Sequence, residues 1–394
     1  MGVVRSLADV GIPSMVVSVE AKCPTFWSRH CVGGAFMPNA QQQPEEAAEV
    51  LMRAAQRFPD RPVVLTGREP ETVLISRKRE LFSPYMRIKM APADLIEALA
   101  DKWKFADLAE RHGLPVPRSF KPGNVDELAK LSETLSFPCL IKPLMQLLWR
   151  RDEVYAVVGR WRKAYLAGDR EDLLRVFGKL WSVDTGLIVQ EYIPGADRCL
   201  FDLHAYFDAP GHLAGYFLGR KIRTQPIHFG LGAYTRSWQD PGVARVGLEA
   251  LERINYVGPA NLNLKRDERT GRVALLEINP RFSLWCHLAT RCGVNLPHAL
   301  YNDCMGLPLP RLIQSQTERR WLYAYYDFLA FRQYRKTHEW NFLSWIGSMF
   351  FSRIIFYRWD WKDPLPLIRT FITQTGLHVK WFAQRFRRKR NEAP

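Results

Sequence analysis

The chain has 394 residues, 47% of them hydrophobic and 24% charged, which places it among globular proteins of two to four units and excludes a disordered, fibrous or collagen-like chain. Its seven cysteines (Cys23, Cys31, Cys139, Cys199, Cys286, Cys292 and Cys304) form no C-x-x-C pair, so the reading is free thiols in a reducing, cytoplasmic setting rather than a disulfide frame or a zinc site. The formal net charge is +16, and residues 311–394 hold 16 Lys/Arg against 6 Asp/Glu together with six of the 13 tryptophans.

The first residues carry neither a long apolar stretch nor a cleavage site, which argues against a secretory signal. Residues 3–10 read as a helix stopped by Gly11 and Pro13. Residues 15–19 read as a buried parallel strand, 45–57 as an amphipathic helix and 62–67 as a second strand. This order predicts a small parallel α/β unit over residues 1–91. A helix over 92–112, closed by Gly113, opens a second unit (92–186) with strands near 118–121 and 139–143 and a helix over 170–180. Residues 187–310 show long strands at 187–192, 200–207, 212–220, 260–265 and 272–278, an α+β pattern with a mostly antiparallel sheet. Residues 311–394 read as an aromatic, basic and mainly helical extension.

The most informative stretch is GPANLNLK (258–265), a polar turn through Gly271, and RVALLEINPR (272–281), which together read as a hairpin. Alternation puts Glu277 and Asn279 on one face, and Asn261 and Asn263 also share a face. If the register brings those faces together, three or four oxygen donors converge. Oxygen donors with little formal charge suit magnesium, which keeps waters and takes further ligands from nucleotide phosphates. Arg281 lies within reach of a phosphate or a carboxylate. The same residues also suit a plain strand end with a capped turn. Lys142, between apolar neighbours in CLIKP (139–143), needs an anionic partner if buried, or snorkels from an edge strand.

These segments resemble the ATP-grasp superfamily. LLEINPRFS is similar to its metal-binding strand and GPANLNLK to the strand before it, DKWKFADLAERHGLPVP to its leading helix, FPCLIKP to its lid strand and LIVQEYIPGAD to its hinge strand. The resemblance spans roughly residues 1–310. It implies a combined α/β and α+β fold, with an N-terminal parallel unit ahead of an ATP-grasp core. The activity it implies is an ATP- and magnesium-dependent ligase that activates a carboxylate as an acyl-phosphate and couples it to an amine. By position, Glu277, Asn279 and Asn263 would be magnesium ligands, and Arg281 would face the transferring phosphate. Lys102 and Lys142 would hold phosphates, Glu191 would sit at the adenine and Asp197 at the ribose.

Two departures stand out. The lid lysine is followed by LMQLLWRR (144–151), without the glycines many relatives have, so Arg150 and Arg151 are candidates to cover the phosphates. Relatives also begin with a strand and a glycine-containing turn ahead of the helix at 3–10; here the chain either starts late or has a first unit without that strand. Lys221, Arg223 and Arg236 suit a substrate-side anion site or an exposed basic strand, and His204, His228 and His287 read as structural. Residues 342–352 are too short an apolar run to span a bilayer. The interleaved aromatic and basic residues of 340–394 suit an anionic membrane surface, or else the aromatics pack on the core. No nucleic-acid-binding motif appears. The alternatives in function are a nucleotide-binding membrane adaptor without catalysis and a carboxylate–thiol or carboxylate–hydroxyl ligase on the same fold.

Overall fold

A computed structural model describes residues 1–144, 149, 151–159, 162–350 and 353–372. In the N-terminal unit, β1 (Ser14–Ser18) pairs in parallel with β2 (Cys31–Phe36). The strand expected at 62–67 is reduced to a single parallel bridge between Val63 and Arg87. The strand that does pair, β2, has the sequence CVGGAF, whose glycines hide it from a pattern search; a Cβ on Gly34 would come within 2.6 Å of the Phe26 ring. The helix expected over 92–112 is two helices, Ala93–Ala100 and Lys102–Arg111. Asp101 breaks it in an extended conformation and caps the second helix, accepting from Trp103 N and Lys104 N at 2.8 and 2.9 Å.

The second unit is a four-stranded antiparallel sheet of β3 (Ser119–Phe120), β4 (Cys139–Pro143), β5 (Tyr165–Ala167) and β6 (Leu187–Glu191), in the order β3-β6-β4-β5. Alternation along β4 and β6 decides which side chains face where. Cys139, Ile141, Leu187 and Val189 join a core with Leu173, Val176, Phe177 and Leu180 of the helix Arg170–Trp181. The alternate residues, Lys142 and Gln190 among them, are left on the opposite face.

The largest sheet has seven strands: β7 (Leu200–Ala209), β8 (His212–Gln225), β9 (Leu231–Ser237), β10 (Gly258–Arg266), β11 (Val273–Asn279), β12 (Arg320–Leu322) and β13 (Ile354–Phe356). They run in the order β11-β10-β7-β8-β9-β12-β13. Leu203, Ala205, Phe207, Ala260, Leu262 and Leu264 pack against the helix Pro241–Arg253 and the N-terminal unit. Asp202, His204, Asn261, Asn263 and Lys265 alternate with them and point to the other face. A register shift lets Leu275 pair with Leu264 while Glu277 pairs with Asn263, so Leu276 is extra. This bulge keeps both Leu275 and Ile278 in the core and still turns Glu277 and Asn279 to the polar face. The turn between β10 and β11 closes through Asp267 and Gly271, whose φ of +75° suits glycine.

The chain after residue 310 is built into this sheet. It supplies β12 and β13, and the helix Ala324–Lys336 covers β8 and β9. Arg223, with no exposed side-chain surface, forms a two-pronged pair with Asp327 at 2.7 and 3.0 Å and stacks on Tyr234 and Trp340. Arg5 of the helix Gly2–Ala8 donates to the carbonyls of Phe356 and Tyr357, and Asp363 accepts from Ser28 and Arg29, so the extension also binds the first unit. The aromatics of the extension divide accordingly: Trp321 and Tyr334 are buried, whereas Phe342, Leu343, Phe350 and Trp361 are exposed. The segment at 380–390 and Arg150 lie outside the described residues.

Candidate active site

The polar face of the large sheet and the free face of β4 and β6 come close enough for Lys102 and Lys142 to feel the charge of Glu277, and the space between these faces forms the cleft. On its floor, β10 and β11 place Asn261 opposite Asn279 and Asn263 opposite Glu277, so the two polar faces foreseen in the sequence do meet. Asn263 Nδ2 donates to Glu277 Oε1 at 2.6 Å, and Asn279 Nδ2 donates to the same oxygen at 3.1 Å. Arg281 donates to Asn279 Oδ1 at 2.9 Å, and Lys221 Nζ donates to Asn263 Oδ1 at 3.0 Å. Solvent reaches Glu277 through the cleft, although protein surrounds it. Burial favours the neutral acid, but Lys163, the Asn279 amide, Lys221 and Arg281 outweigh it and hold the carboxyl below its usual range.

The roof brings two more of the expected residues to the same place. Lys142 feels Glu277 as its strongest opposite charge, and burial pushes its ammonium down to about 8. It donates to Gln190 Oε1 at 2.5 Å, and Gln190 in turn donates to Ser119 Oγ at 2.8 Å. Lys102, the first residue of its helix because Asp101 breaks the longer one, donates to the carbonyls of Pro143 and Leu144 at the end of β4. Burial lowers its pKa against the pull of Glu277 and Glu69. Arg281 is also desolvated, and its buried Nε has no hydrogen-bond partner among the described residues. Lys102, Lys142, Lys163, Lys221 and Arg281 thus surround Glu277, an arrangement that suits a polyanion in the cleft.

Glu191 and Asp197 are placed differently. Glu191 ends β6, and its carboxylate is taken up by Arg118 N at 3.1 Å and Arg272 at 2.7 Å. Asp197 is buried, and both of its oxygens are committed: Oδ2 to Thr224 and Tyr334, Oδ1 to His228 at 3.1 Å. The helix Ala324–Lys336, which carries Tyr334, covers it, so the ribose contact expected of Asp197 is corrected to a joint between β8, the extension and the hinge. Arg223 is corrected likewise from a substrate contact to a buried anchor. Arg236 pairs with Glu318 and stacks on Trp238. The histidines are structural, as expected: His204 is buried beside Ser283 and Trp285, with a pKa pushed down to about 3 by desolvation, and His287 pairs with Asp9.

The donor set that β10 and β11 bring to the floor is one carboxylate and amide oxygens, and the buried Asn261 Oδ1 beside it has no hydrogen-bond partner among the described residues. Hard oxygen donors with a single charge fit a magnesium ion that brings its remaining ligands on a nucleotide. Among the described residues no group of three or more His, Cys, Asp or Glu side chains stands ready to hold a metal without such help. Sequence patterns did not single out Glu69, Lys163 or Gln190. Glu69 and Lys163 lie on segments outside the motifs, and only the fold brings them near. The one available signal was Gln190 in the hydrophobic strand LIVQE, two residues before the hinge.

No family model matches the chain. A D-aspartate ligase from Enterococcus faecium is 26% identical over 313 residues, covering 77% of this chain and 73% of that protein. The C-terminal section of a carbamoyl phosphate synthase large chain from Methanopyrus kandleri is 23% identical, covering 58% of this chain and 42% of that one. In fold, the chain is similar to N5-carboxyaminoimidazole synthetase from Staphylococcus aureus, with a TM-score of 0.61 at 14% identity over 81% of this chain and 77% of that one. It is similar to the same degree to a biotin carboxylase from Campylobacter jejuni, with a TM-score of 0.60 at 14% identity over 81% and 72%.

Proposed function

We propose that this chain, an ATP-grasp enzyme of the carboxylate–amine ligase type, uses the cleft around Glu277 to activate an amino-acid carboxylate with ATP and pass it to an amine. The observation that carries this reading is the cluster of Glu277, Asn263 and Asn279, ringed by cations from two units of the molecule. The D-aspartate ligase relative, matched over most of both chains, supports an amino acid as the acid partner.

The nucleotide lies between the two sheets, its adenine end at the close of β6. Glu191 shapes that end by tying β3 to β6 and to Arg272, and Lys102 and Lys142 hold phosphate oxygens. Magnesium, carried in with the nucleotide, would sit on Glu277 and the Asn279 oxygen and offset charge on the transferring phosphate. Arg281, with its unpartnered Nε, meets the same phosphate. A substrate carboxylate oxygen attacks the γ-phosphorus and the bond to ADP breaks. The amine nitrogen then attacks the acyl carbon, phosphate leaves and the nitrogen loses its proton. The protein's part in both steps is positioning and charge stabilisation, and no side-chain nucleophile is needed.

ADP release tests this reading. Amines alone should release no ADP, and an amino acid together with an amine should release more than the amino acid alone. Release with an acid and a thiol instead would favour the thioester alternative.

A second reading concerns the extension. Exposed Phe342, Leu343, Phe350 and Trp361 lie in a segment that also carries Arg353, Arg358 and Lys362, and this favours contact with an anionic lipid surface. No helix among the described residues is long and apolar enough to cross a membrane. Sedimentation with anionic vesicles at low and high salt tests the contact; loss of binding at high salt is the expected result, and no binding at low salt removes the reading.

A further inference from the structure

The hydrogen bonds around Glu277 have one direction. Lysine and arginine only donate, so the amide that meets each must present its oxygen. Asn263 therefore gives its oxygen to Lys221 and its nitrogen to Glu277, and Asn279 gives its oxygen to Arg281 and its nitrogen to Glu277. Turning either amide over would set its NH2 against a cation. For an amide oxygen to ligate a metal well, the cation that holds it must first let go, because a cation on one lone pair repels a metal at the other.

The two ends differ in how readily they do so. Arg281 has an unpartnered Nε, and among the described residues the carboxylates it feels, Glu277, Glu69 and Asp202, form no direct ion pair with it, so an incoming phosphate can draw it away from Asn279. Lys221 is 7% exposed and anchored by a second partner: Asp202, 3% exposed, lies 3.3 Å from its Nζ. Cross-strand register fixes the row, with Asn263 opposite Asp202 on β7 and opposite Glu277 on β11. A lysine buried against a carboxylate does not leave for solvent, because that would strand Asp202.

We propose that the Lys221 ammonium is a built-in cation of the metal-binding face. It keeps the Asn263 oxygen, removes Asn263 from the ligand set and leaves a site for one protein-held divalent ion, on Glu277 and Asn279. Phosphoryl-transfer sites with two metals hold them roughly 3.5–4 Å apart; here a second ion on Asn263 would press against the ammonium and be repelled. Lys221 is thus a positioning residue. The inference rests on the ligase reading of the cleft, and it replaces the expectation that Asn263 ligates magnesium.

The test is to count manganese ions, as a paramagnetic stand-in, bound to the full chain at saturating non-hydrolysable ATP analogue by electron paramagnetic resonance. The expected count for the wild type is one per chain. Asn263→Asp should still bind one, because the new carboxylate pairs with Lys221. The double variant Lys221→Met/Asn263→Asp should bind two, with the circular dichroism spectrum checked for folding. Two ions in the wild type, or two in Asn263→Asp, would overturn the proposal without touching the ligase reading. No manganese beyond that held by the free analogue would overturn both. The wild-type and Asn263→Asp counts decide the matter even where the double variant does not fold.

Discussion

Asn263 and Glu277 stand directly opposite each other across β10 and β11, and the 2.6 Å bond from the Asn263 amide to Glu277 Oε1 joins the floor of the cleft into one unit. Glu277 is the one carboxylate that β10 and β11 bring to that unit, the neighbouring Asp202 of β7 being taken up by Lys221. Glu277→Gln is therefore expected to reduce ATP turnover to less than about a tenth of wild type, since losing a metal ligand costs at least about 1.4 kcal/mol in the transition state. The melting temperature should fall, because the surrounding cations lose their carboxylate, but the fold should persist, since the side chain lies outside the core. A coupled assay for ADP checks the first expectation, and activity retained above that level would contradict it.

Lys142 is held for the nucleotide at a cost to the free protein. Its pKa is about 8 in the folded chain against 10.5 for the unperturbed group. Between these values the unfolded chain binds more protons, so this group makes stability rise with pH over that window. Lys142→Met should raise the melting temperature at pH 7 and flatten that rise, while weakening nucleotide binding by about 1.5–3 kcal/mol. In the wild type, affinity for a fluorescent ATP analogue should fall as pH rises through about 8. A variant that binds the analogue as tightly as wild type would place the lysine outside the phosphate site.

His228 bridges Asp197 and Glu339, and the Asp197 hydrogen bond leads in raising its pKa above 6.5. The sign is that of a base gaining partners: the stabilisation is complete below the unfolded value and is lost as pH rises through the folded one. His228→Gln should lower the melting temperature at pH 6 and have a smaller effect at pH 9. Equal effects at both would show that the bridge is not ionic.

The extension is expected to be inseparable from the core. Arg223→Met leaves Asp327 buried without its partner and should destabilise the protein by about 3–5 kcal/mol, and an added Asp327→Leu should recover much of the loss. Truncation after Leu312 removes β12 and the buried Trp321, and should yield an unfolded or aggregated chain by circular dichroism. A truncated protein that melts cooperatively near the wild-type temperature would contradict this.

Much of the floor was legible in the sequence because strand alternation is local: Glu277 and Asn279 share a face by period alone, and the hairpin turn is short. The bulge at Leu276 was not legible, yet it reconciles a core-facing Leu275 with a core-facing Ile278. The break at Asp101 was masked by an otherwise helical pattern, although Asp before Lys-Trp-Lys is a capping signal. The roles of Asp197 and Arg223 were misread for a different reason. Their partners, Tyr334 and Asp327, lie more than a hundred residues downstream on a helix whose docking no local pattern announces. Asn263 was read by its oxygen, and only the position of Lys221 shows which way its amide faces.

The central claim is acyl-phosphate formation in the cleft, and transfer of oxygen-18 tests it most directly. The full chain is incubated with ATP, magnesium, a pool of amino acids labelled with oxygen-18 in their carboxylates, and an amine pool. The phosphate released is then examined by mass spectrometry. The account predicts that the phosphate carries one labelled oxygen, taken from the carboxylate as the amide forms, and that Glu277→Gln releases less than about a tenth as much. Amide formation with unlabelled phosphate, or label appearing in AMP, would contradict it.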